Sequence, residues 1–154
     1  MPRSGRPRRL DGVDYDTPGP VFHCRLGVLD RKPLLAEPET ARLIVEALKF
    51  HHGRKAEVLA YCVMPDHFHV LVAFRVEGVA LSRWVGDFKR WVGRRARLEL
   101  GVQLEWQPSF FEHVVRKDED LLVIARYILA NPVRAGLSPD WKSYPWSGSL
   151  AWQL

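Results

Sequence analysis

Two histidines separated by one residue are the first candidate for chemistry in this chain of 154 residues. His67 and His69 lie in an apolar run after the turn pair Pro65-Asp66, and such a run predicts a β-strand. Side chains two apart on a strand point to the same face, so both imidazoles can present a nitrogen to one metal ion. Phe68 and Val70 would face apolar packing instead. Pairs with this spacing also occur without any function, so the motif needs support from elsewhere in the chain.

A tyrosine and an asparagine four residues apart are the second candidate. Apolar residues at helical spacing over 121–128 predict an amphipathic helix, which Asp118 can cap and Asn131-Pro132 ends. Tyr127 and Asn131 share one face of this helix, because residues four apart on a helix are neighbours, and both lie off the apolar stripe. Each also has an ordinary explanation: a tyrosine can lie at the surface, and an asparagine before a proline commonly ends a helix.

The two motifs together are suited to phosphodiester chemistry. Two imidazoles and the amide oxygen of Asn131 can hold a divalent ion with open positions, and this ligand set favours Mg²⁺ or Mn²⁺, with Zn²⁺ as an alternative. Such an ion would polarise the scissile phosphate and stabilise charge on its oxygens. The phenol of Tyr127 would attack phosphorus and form a covalent phosphotyrosine, and the metal ion could activate this phenol, whose ordinary pKa is about 10.

The order of predicted elements gives the fold class. The patterns predict strands over 21–28, 57–64, 67–74 and 109–116, with helices over 37–52, 80–99 and the segment that carries the tyrosine. The first six elements follow a βαββαβ order, so we expect an α+β, ferredoxin-like fold with an antiparallel sheet and an extra C-terminal helix for the nucleophile. The first and third strands would then be adjacent at the centre of the sheet.

Length and composition favour a single domain over residues 21–154, preceded by a basic, flexible arm over residues 1–20. About half of the residues are apolar, so a core can form without a disulfide, and we expect Cys24 and Cys62 to be buried thiols. No apolar run is long enough to span a membrane, and no secretory signal precedes the domain. The sequence therefore predicts a cytoplasmic protein.

The net charge of +5 is concentrated in two segments. Residues 1–10 hold four arginines and no acid, residues 83–97 hold six basic residues and one acid, and the rest of the chain is net negative. This pattern fits either a polyanion-binding surface or a solvated arm and helix face. The candidate contacts to DNA phosphates are Arg3, Arg6, Arg8, Arg9, Arg83, Lys89, Arg90, Arg94 and Arg97. Trp141, Trp146 and Trp152 can stack on unpaired bases or pack in the core, and packing is the expectation we favour.

Five segments resemble a known family. Met64–Val72 (Met-Pro-Asp-His-Phe-His-Val-Leu-Val) resembles the HUH motif of single-tyrosine transposases that act on single-stranded DNA. Arg126–Leu137 (Arg-Tyr-Ile-Leu-Ala-Asn-Pro-Val-Arg-Ala-Gly-Leu) resembles the catalytic-tyrosine segment of one branch, the REP-associated tyrosine transposases. Tyr144–Ser147 resembles the ending of that branch, and Trp106-Gln107 with Phe111–Arg116 fits its pattern between the motifs. The resemblance extends over about residues 20–150.

The resemblance implies a ferredoxin-like fold and a DNA transesterase that is associated with the nucleoid of a prokaryote. His67 and His69 match the metal-binding histidines, Tyr127 matches the nucleophile, and Asn131 matches a position that supplies a third ligand in this branch. The family cleaves single-stranded DNA near a hairpin, forms a 5′-phosphotyrosine and leaves a free 3′-OH, so rejoining needs no ATP. The substrate of the REP-associated branch is a repetitive extragenic palindrome with a short guide sequence. Related insertion-sequence transposases are homodimers, whereas this branch resembles a monomer, and we expect a monomer.

One departure concerns the first strand, where the family usually has a Tyr-His pair and this chain has Phe22-His23. His23 should lie beside the strand of His67 and His69, on its polar face, as a metal ligand in place of Asn131 or as a phosphate contact. Two other functions stay open. The first is a catalytically silent module that binds DNA hairpins, and the second is a metal-dependent hydrolase that uses water as its nucleophile and does not need Tyr127. We expect His51, His52 and His113 to be structural or surface residues.

Overall fold

Five strands form one antiparallel sheet, as seen in a computed structural model that describes residues 8–9, 20–54, 56–74, 81–116 and 120–154. Numbered along the chain, after a short strand β1 at Arg8–Arg9, the strands of this sheet are β2 Val21–Gly27, β3 Ala56–Val63, β4 His67–Phe74, β5 Phe111–Val115 and β6 Ser147–Gly148. Their order in the sheet is β5-β2-β4-β3-β6. β1 pairs separately with a last strand, β7, at Trp152–Gln153.

Four α-helices accompany the sheet within the described ranges. They are α1 Pro38–His51, α2 Leu81–Arg95, α3 Leu121–Leu129 and α4 Asn131–Arg134. Short 3₁₀ turns at Leu29–Arg31 and Leu34–Ala36 precede α1, and a π-helical turn at Ala96–Leu100 continues α2. Gly101 follows with a φ of 65°, a left-handed conformation that costs glycine little.

The N-terminal end of α3 differs from the prediction. We expected Asp118 to cap this helix, and that expectation is wrong: Asp118 lies outside the described residues, and the cap is Asp120, whose carboxylate accepts a 2.9 Å hydrogen bond from the backbone N–H of Leu122. Both aspartates precede the apolar stripe, and a spacing pattern cannot tell which of them takes the extended conformation that a cap requires.

Alternation along the central strands separates two layers of packing. Phe68, Val70 and Val72 of β4 face a large core that contains α1 and α2, with Phe88 of α2 fully buried in it. Leu71 lies on the opposite face, in a smaller core with Ala125 and Ile128 of α3. The sheet therefore has α1 and α2 on one side and α3 on the other.

The predicted fold class is confirmed. The βαββαβ order, the antiparallel pairing and the neighbouring first and third predicted strands (β2 and β4) all match. Strand and helix bounds agree with the prediction to within a few residues, which is the usual uncertainty at element ends. The short strands β1, β6 and β7 carry no periodic pattern and were not predicted. No helix in the described part of the chain is both long and apolar enough to cross a membrane.

Candidate active site

The histidine pair and the tyrosine helix occupy the same face of the sheet. His67 and His69 of β4 alternate with the core-facing Phe68 and so share the face of Leu71, which packs under α3. α3 packs on this same face through Ala125 and Ile128. The structure therefore brings together two motifs that are separated by more than fifty residues in the sequence.

Register places three further polar groups on this face. β2 pairs with β4 so that His23 lies opposite Leu71 and Arg25 lies opposite His69. β5 adds His113, which lies opposite His23 on the other side of β2. The predicted position of His23, beside the His67–His69 strand on its polar face, is confirmed by this pairing. We expected His113 to be a structural or surface residue, and no pattern in the sequence predicted that it would lie next to His23.

Both histidines of the pair hold a partner at Nδ1. His67 Nδ1 lies 2.6 Å from the Asp66 carboxylate, and His69 Nδ1 lies 3.0 Å from Nε2 of His23. The rings of His67 and His69 meet edge to face, with their centroids 5.1 Å apart. Partners at Nδ1 fix the orientation of each ring and leave Nε2 of His67 and His69 as the nitrogens for a further ligand.

The three imidazoles are held in their neutral form. The pKa of His69, which is only 8% exposed, is lowered to about 3, chiefly by burial and further by electrostatic interactions with His23, His67, Arg25 and Arg134. Burial also lowers the pKa of His67, with Asp66 opposing the shift, and the pKa of His23, with His113 adding to it. Neutral imidazoles at neutral pH are the form that binds metal ions.

The tyrosine end of the site carries a stacked arginine. The side chain of Tyr127 is 57% exposed, in agreement with its position off the apolar stripe of α3. The guanidinium of Arg134 lies 4.0 Å from the centre of the Tyr127 ring, and its Nη2 donates a 2.8 Å hydrogen bond to the backbone carbonyl of Tyr127. The same charge contributes to the lowered pKa of His69, so the tyrosine end and the imidazoles belong to one electrostatic environment.

Asn131 lies at the start of α4, between these groups in sequence. Its Nδ2 donates a 2.9 Å hydrogen bond to the carbonyl of Ile128, which leaves the Oδ1 oxygen as the atom that can bind a cation. Within the described ranges, no three or more His, Cys, Asp or Glu side chains are arranged to hold a metal ion. The donor set of the residues present is therefore two imidazole nitrogens with oxygens from an amide or from a substrate, and this set fits a divalent cation with open positions.

The predicted DNA contacts fall in several places. Arg83, Arg90 and Arg94 are exposed on α2, and Arg97 is exposed on the π-helical turn that continues it; α2 packs on the sheet face opposite the histidines. Lys89 instead donates to the carbonyl of Gln107 at 3.3 Å, and burial lowers its pKa. Arg8 and Arg9 form β1, whereas Arg3 and Arg6 lie outside the described residues. A strand of DNA that contacts both α2 and the histidines must therefore pass around the sheet.

The predicted packing of two tryptophans is confirmed. Trp152 is buried in the core with α3, and Trp146 packs against the larger core. Cys24 and Cys62 are buried free thiols, as expected, and burial raises the pKa of each to about 12. A second tyrosine, Tyr144, donates its hydroxyl to the carbonyl of Val63 and so ties the C-terminal segment to β3.

A ferredoxin-like sheet with a histidine pair and a tyrosine helix on one face is the arrangement predicted for a single-tyrosine transposase. The chain belongs to the IS200-like transposase family, whose model matches residues 21–131. It is 25% identical over 134 residues to the REP-associated tyrosine transposase of Escherichia coli K12, an alignment that spans 86% of this chain and 78% of the relative.

Two further comparisons agree. A Haemophilus influenzae protein, provisionally named as a REP-associated tyrosine transposase, is 30% identical over 104 residues, which are 59% of this chain and 57% of that protein. A solved structure of a REP-associated tyrosine transposase bound to a REP hairpin superposes with a TM-score of 0.69 at 24% identity, over 84% of this chain and 76% of that one. The latter comparison establishes the likeness of fold.

Proposed function

We propose that this chain is a metal-dependent, site-specific endonuclease and strand transferase that cleaves single-stranded DNA near a hairpin of the REP type. Membership of a transposase family supports DNA as the substrate class, and the relative that was solved with a REP hairpin supports a hairpin as the recognised element. The single observation that carries the proposal is the shared face: His67, His69 and the exposed Tyr127 lie on the same side of the sheet.

Tyr127 is the nucleophile in this proposal. Its phenol oxygen attacks the scissile phosphorus, the bond from phosphorus to the 3′-oxygen breaks, and the phenolic proton ends on that oxygen as a 3′-OH. The DNA on the 5′-phosphate side stays attached as a phosphotyrosine diester. One phosphodiester replaces another, so the reverse attack by a 3′-OH rejoins DNA without ATP.

The histidines and Asn131 hold the metal ion, which supplies Lewis-acid polarisation of the phosphate. Nε2 of His67 and of His69 and Oδ1 of Asn131 are the proposed ligand atoms, with Mg²⁺ or Mn²⁺ as the ion. His23 and Asp66 accept hydrogen bonds from the Nδ1–H groups of His69 and His67, and so keep each Nε2 unprotonated. His23 thus acts as a positioning residue in this proposal, rather than as a ligand or a phosphate contact.

A denaturing-gel assay tests the nucleophile. A pool of single-stranded oligonucleotides that each carry a hairpin with randomised flanks is incubated with the protein and Mn²⁺, with the label on the 3′ end. The wild type should shift label to a covalent protein–DNA band, and Tyr127→Phe should abolish this band, because the change removes the one attacking oxygen.

Tyr144→Phe is the matched control, since it deletes the same hydroxyl from a tyrosine that anchors the C-terminal segment. It should keep the covalent band. A band that persists in Tyr127→Phe would refute the assignment of the nucleophile. Cleavage without any covalent band would favour a hydrolase that uses water, and hairpin binding without cleavage would favour a silent binding module on the basic face of α2.

A further inference from the structure

Arg134 holds the proposed nucleophile at two points. Its guanidinium stacks 4.0 Å from the centre of the Tyr127 ring, and its Nη2 donates a 2.8 Å hydrogen bond to the Tyr127 carbonyl. The stack restricts the ring, and the hydrogen bond ties the arginine to the backbone of the same residue. An exposed tyrosine would otherwise exchange freely among its rotamers.

This contact crosses the junction of α3 and α4. α3 ends at Leu129, Ala130 keeps a right-handed helical conformation, and Pro132 lies in the first turn of α4, so Arg134 follows Tyr127 after two turns of nearly continuous helix. Gly136, with a φ of 73°, then lets the N–H of Leu137 return to the carbonyl of Pro132 at 2.8 Å. This hydrogen bond closes the turn that follows α4.

The charge of Arg134 also acts beyond the tyrosine. It lowers the pKa of Cys62 on β3 and of His69 on β4, two residues that are paired across the sheet. The guanidinium is in contact with the ring of the proposed nucleophile, and so it lies beside the place where the phosphate of a substrate would carry its negative charge.

We propose that Arg134 orients the Tyr127 phenol for attack and binds a non-bridging oxygen of the scissile phosphate. This inference rests on the proposed transesterase function. In the step, the phenol oxygen forms the new bond to phosphorus, the 3′-oxygen leaves with the phenolic proton, and Arg134 keeps its own protons while it donates hydrogen bonds to the phosphoryl oxygen. A guanidinium has five N–H donors in one plane, so it can stack on a ring and still donate to the peptide carbonyl and to a phosphate.

Arg134→Gln and Arg134→Lys test the role, with Arg126→Gln as the matched control. Arg126 is an exposed arginine of α3 next to the tyrosine, so its loss removes the same charge from the same helix end. Single-turnover rates of covalent adduct formation are compared with dissociation constants for the same hairpin oligonucleotide. We expect Arg134→Gln to form adduct about 100-fold more slowly than wild type, as is typical when one donor to a developing charge is removed.

Hairpin affinity in Arg134→Gln should stay within about twofold of that in Arg126→Gln, since both lose one positive charge. Arg134→Lys should recover only part of the rate. Lysine keeps the positive charge, but it lacks the planar guanidinium that can stack on a ring and donate two parallel hydrogen bonds. Thermal unfolding of each variant reports any loss of fold separately from the rate.

A phosphorothioate at the scissile position separates a phosphate contact from a structural role. One of its two diastereomers should slow the wild type and should slow Arg134→Gln much less, because the contact that the sulfur disturbs is already absent. The quantity compared is the ratio of the rate on the ordinary phosphate to the rate on the phosphorothioate. A structural defect would leave this ratio in Arg134→Gln the same as in the wild type. An unchanged ratio, or an Arg134→Gln rate equal to that of Arg126→Gln, would overturn the inference alone, whereas a wild type that forms no adduct would overturn the proposed function itself.

Discussion

Acidification of the metal-free protein should destabilise it through His69. The pKa of this imidazole is lowered to about 3 in the folded protein, chiefly by burial, against 6.5 for an ordinary histidine. Between these two values the unfolded chain binds a proton that the folded chain does not bind, so stability falls as the pH falls from 6.5 towards 3. Above pH 6.5 the histidine is neutral in both states, and its contribution no longer changes with pH.

The size of the effect follows from the shift. A pH of 5.0 lies about 1.5 units below the pKa of histidine in the unfolded chain. Each unit costs about 1.4 kcal/mol of stability, so His69 alone accounts for a loss of about 2 kcal/mol. The pKa values of His23 and His67 are lowered in the same direction, so the wild type should lose more than this amount. A typical domain has a total stability of about 5–15 kcal/mol, so the loss is easily measured.

Urea unfolding measures this loss of stability. The wild type and His69→Gln are compared in EDTA at pH 7.5 and at pH 5.0. The drop in the free energy of unfolding between the two pH values should be about 2 kcal/mol smaller in the variant, because glutamine does not titrate. Equal m-values at both pH values confirm that the same unfolding reaction is compared. Equal pH drops in the two proteins would refute the claim that burial keeps His69 neutral.

Three further outcomes are expected. Asp66→Ala should weaken Mn²⁺ binding by calorimetry about 10- to 100-fold, because His67 loses the acceptor at Nδ1, whereas Asp66→Asn keeps an acceptor oxygen and should bind nearly as wild type. Equal losses in the two variants would argue against that role. Asp120→Ala should cost about 1 kcal/mol in urea unfolding, since it removes the cap of the helix that carries Tyr127, and an unchanged stability would contradict the cap. Arg94→Gln should lower the salt slope of hairpin binding by about 0.7 to 0.9 and leave the cleavage rate of bound DNA unchanged, and an unchanged slope would remove Arg94 from the interface.

Much of the fold could be predicted because its signals are local. Alternation over 67–74 and helical spacing over 80–99 mark elements whose buried faces repeat along the chain. The element order then leaves few topologies, and the antiparallel βαββαβ arrangement is one of them. The helix cap was misplaced, and the strands at Ser147–Gly148 and Trp152–Gln153 were not expected, since two residues are too few to carry a period.

The candidate site divides in the same way. His67, His69, Tyr127 and Asn131 are named by spacing, because each pair belongs to one strand or one helix end. Their meeting on one face depends on strand order and on the packing of α3, which is a property of the whole sheet. The contact of His23 with His69 follows from register, in which a shift of one residue would send the imidazole to the other face.

The sequence by itself therefore determined the order of elements, the family and the residues whose types suit phosphodiester chemistry. Only the tertiary structure decided that the basic face of α2 lies across the sheet from the histidines, and that Arg134 stacks on Tyr127. Two residues seven apart on a helix are separated by about 10 Å along the axis. Their contact therefore depends on the conformation in which the long Arg134 side chain reaches back to Tyr127, and spacing along the sequence does not specify a side-chain conformation.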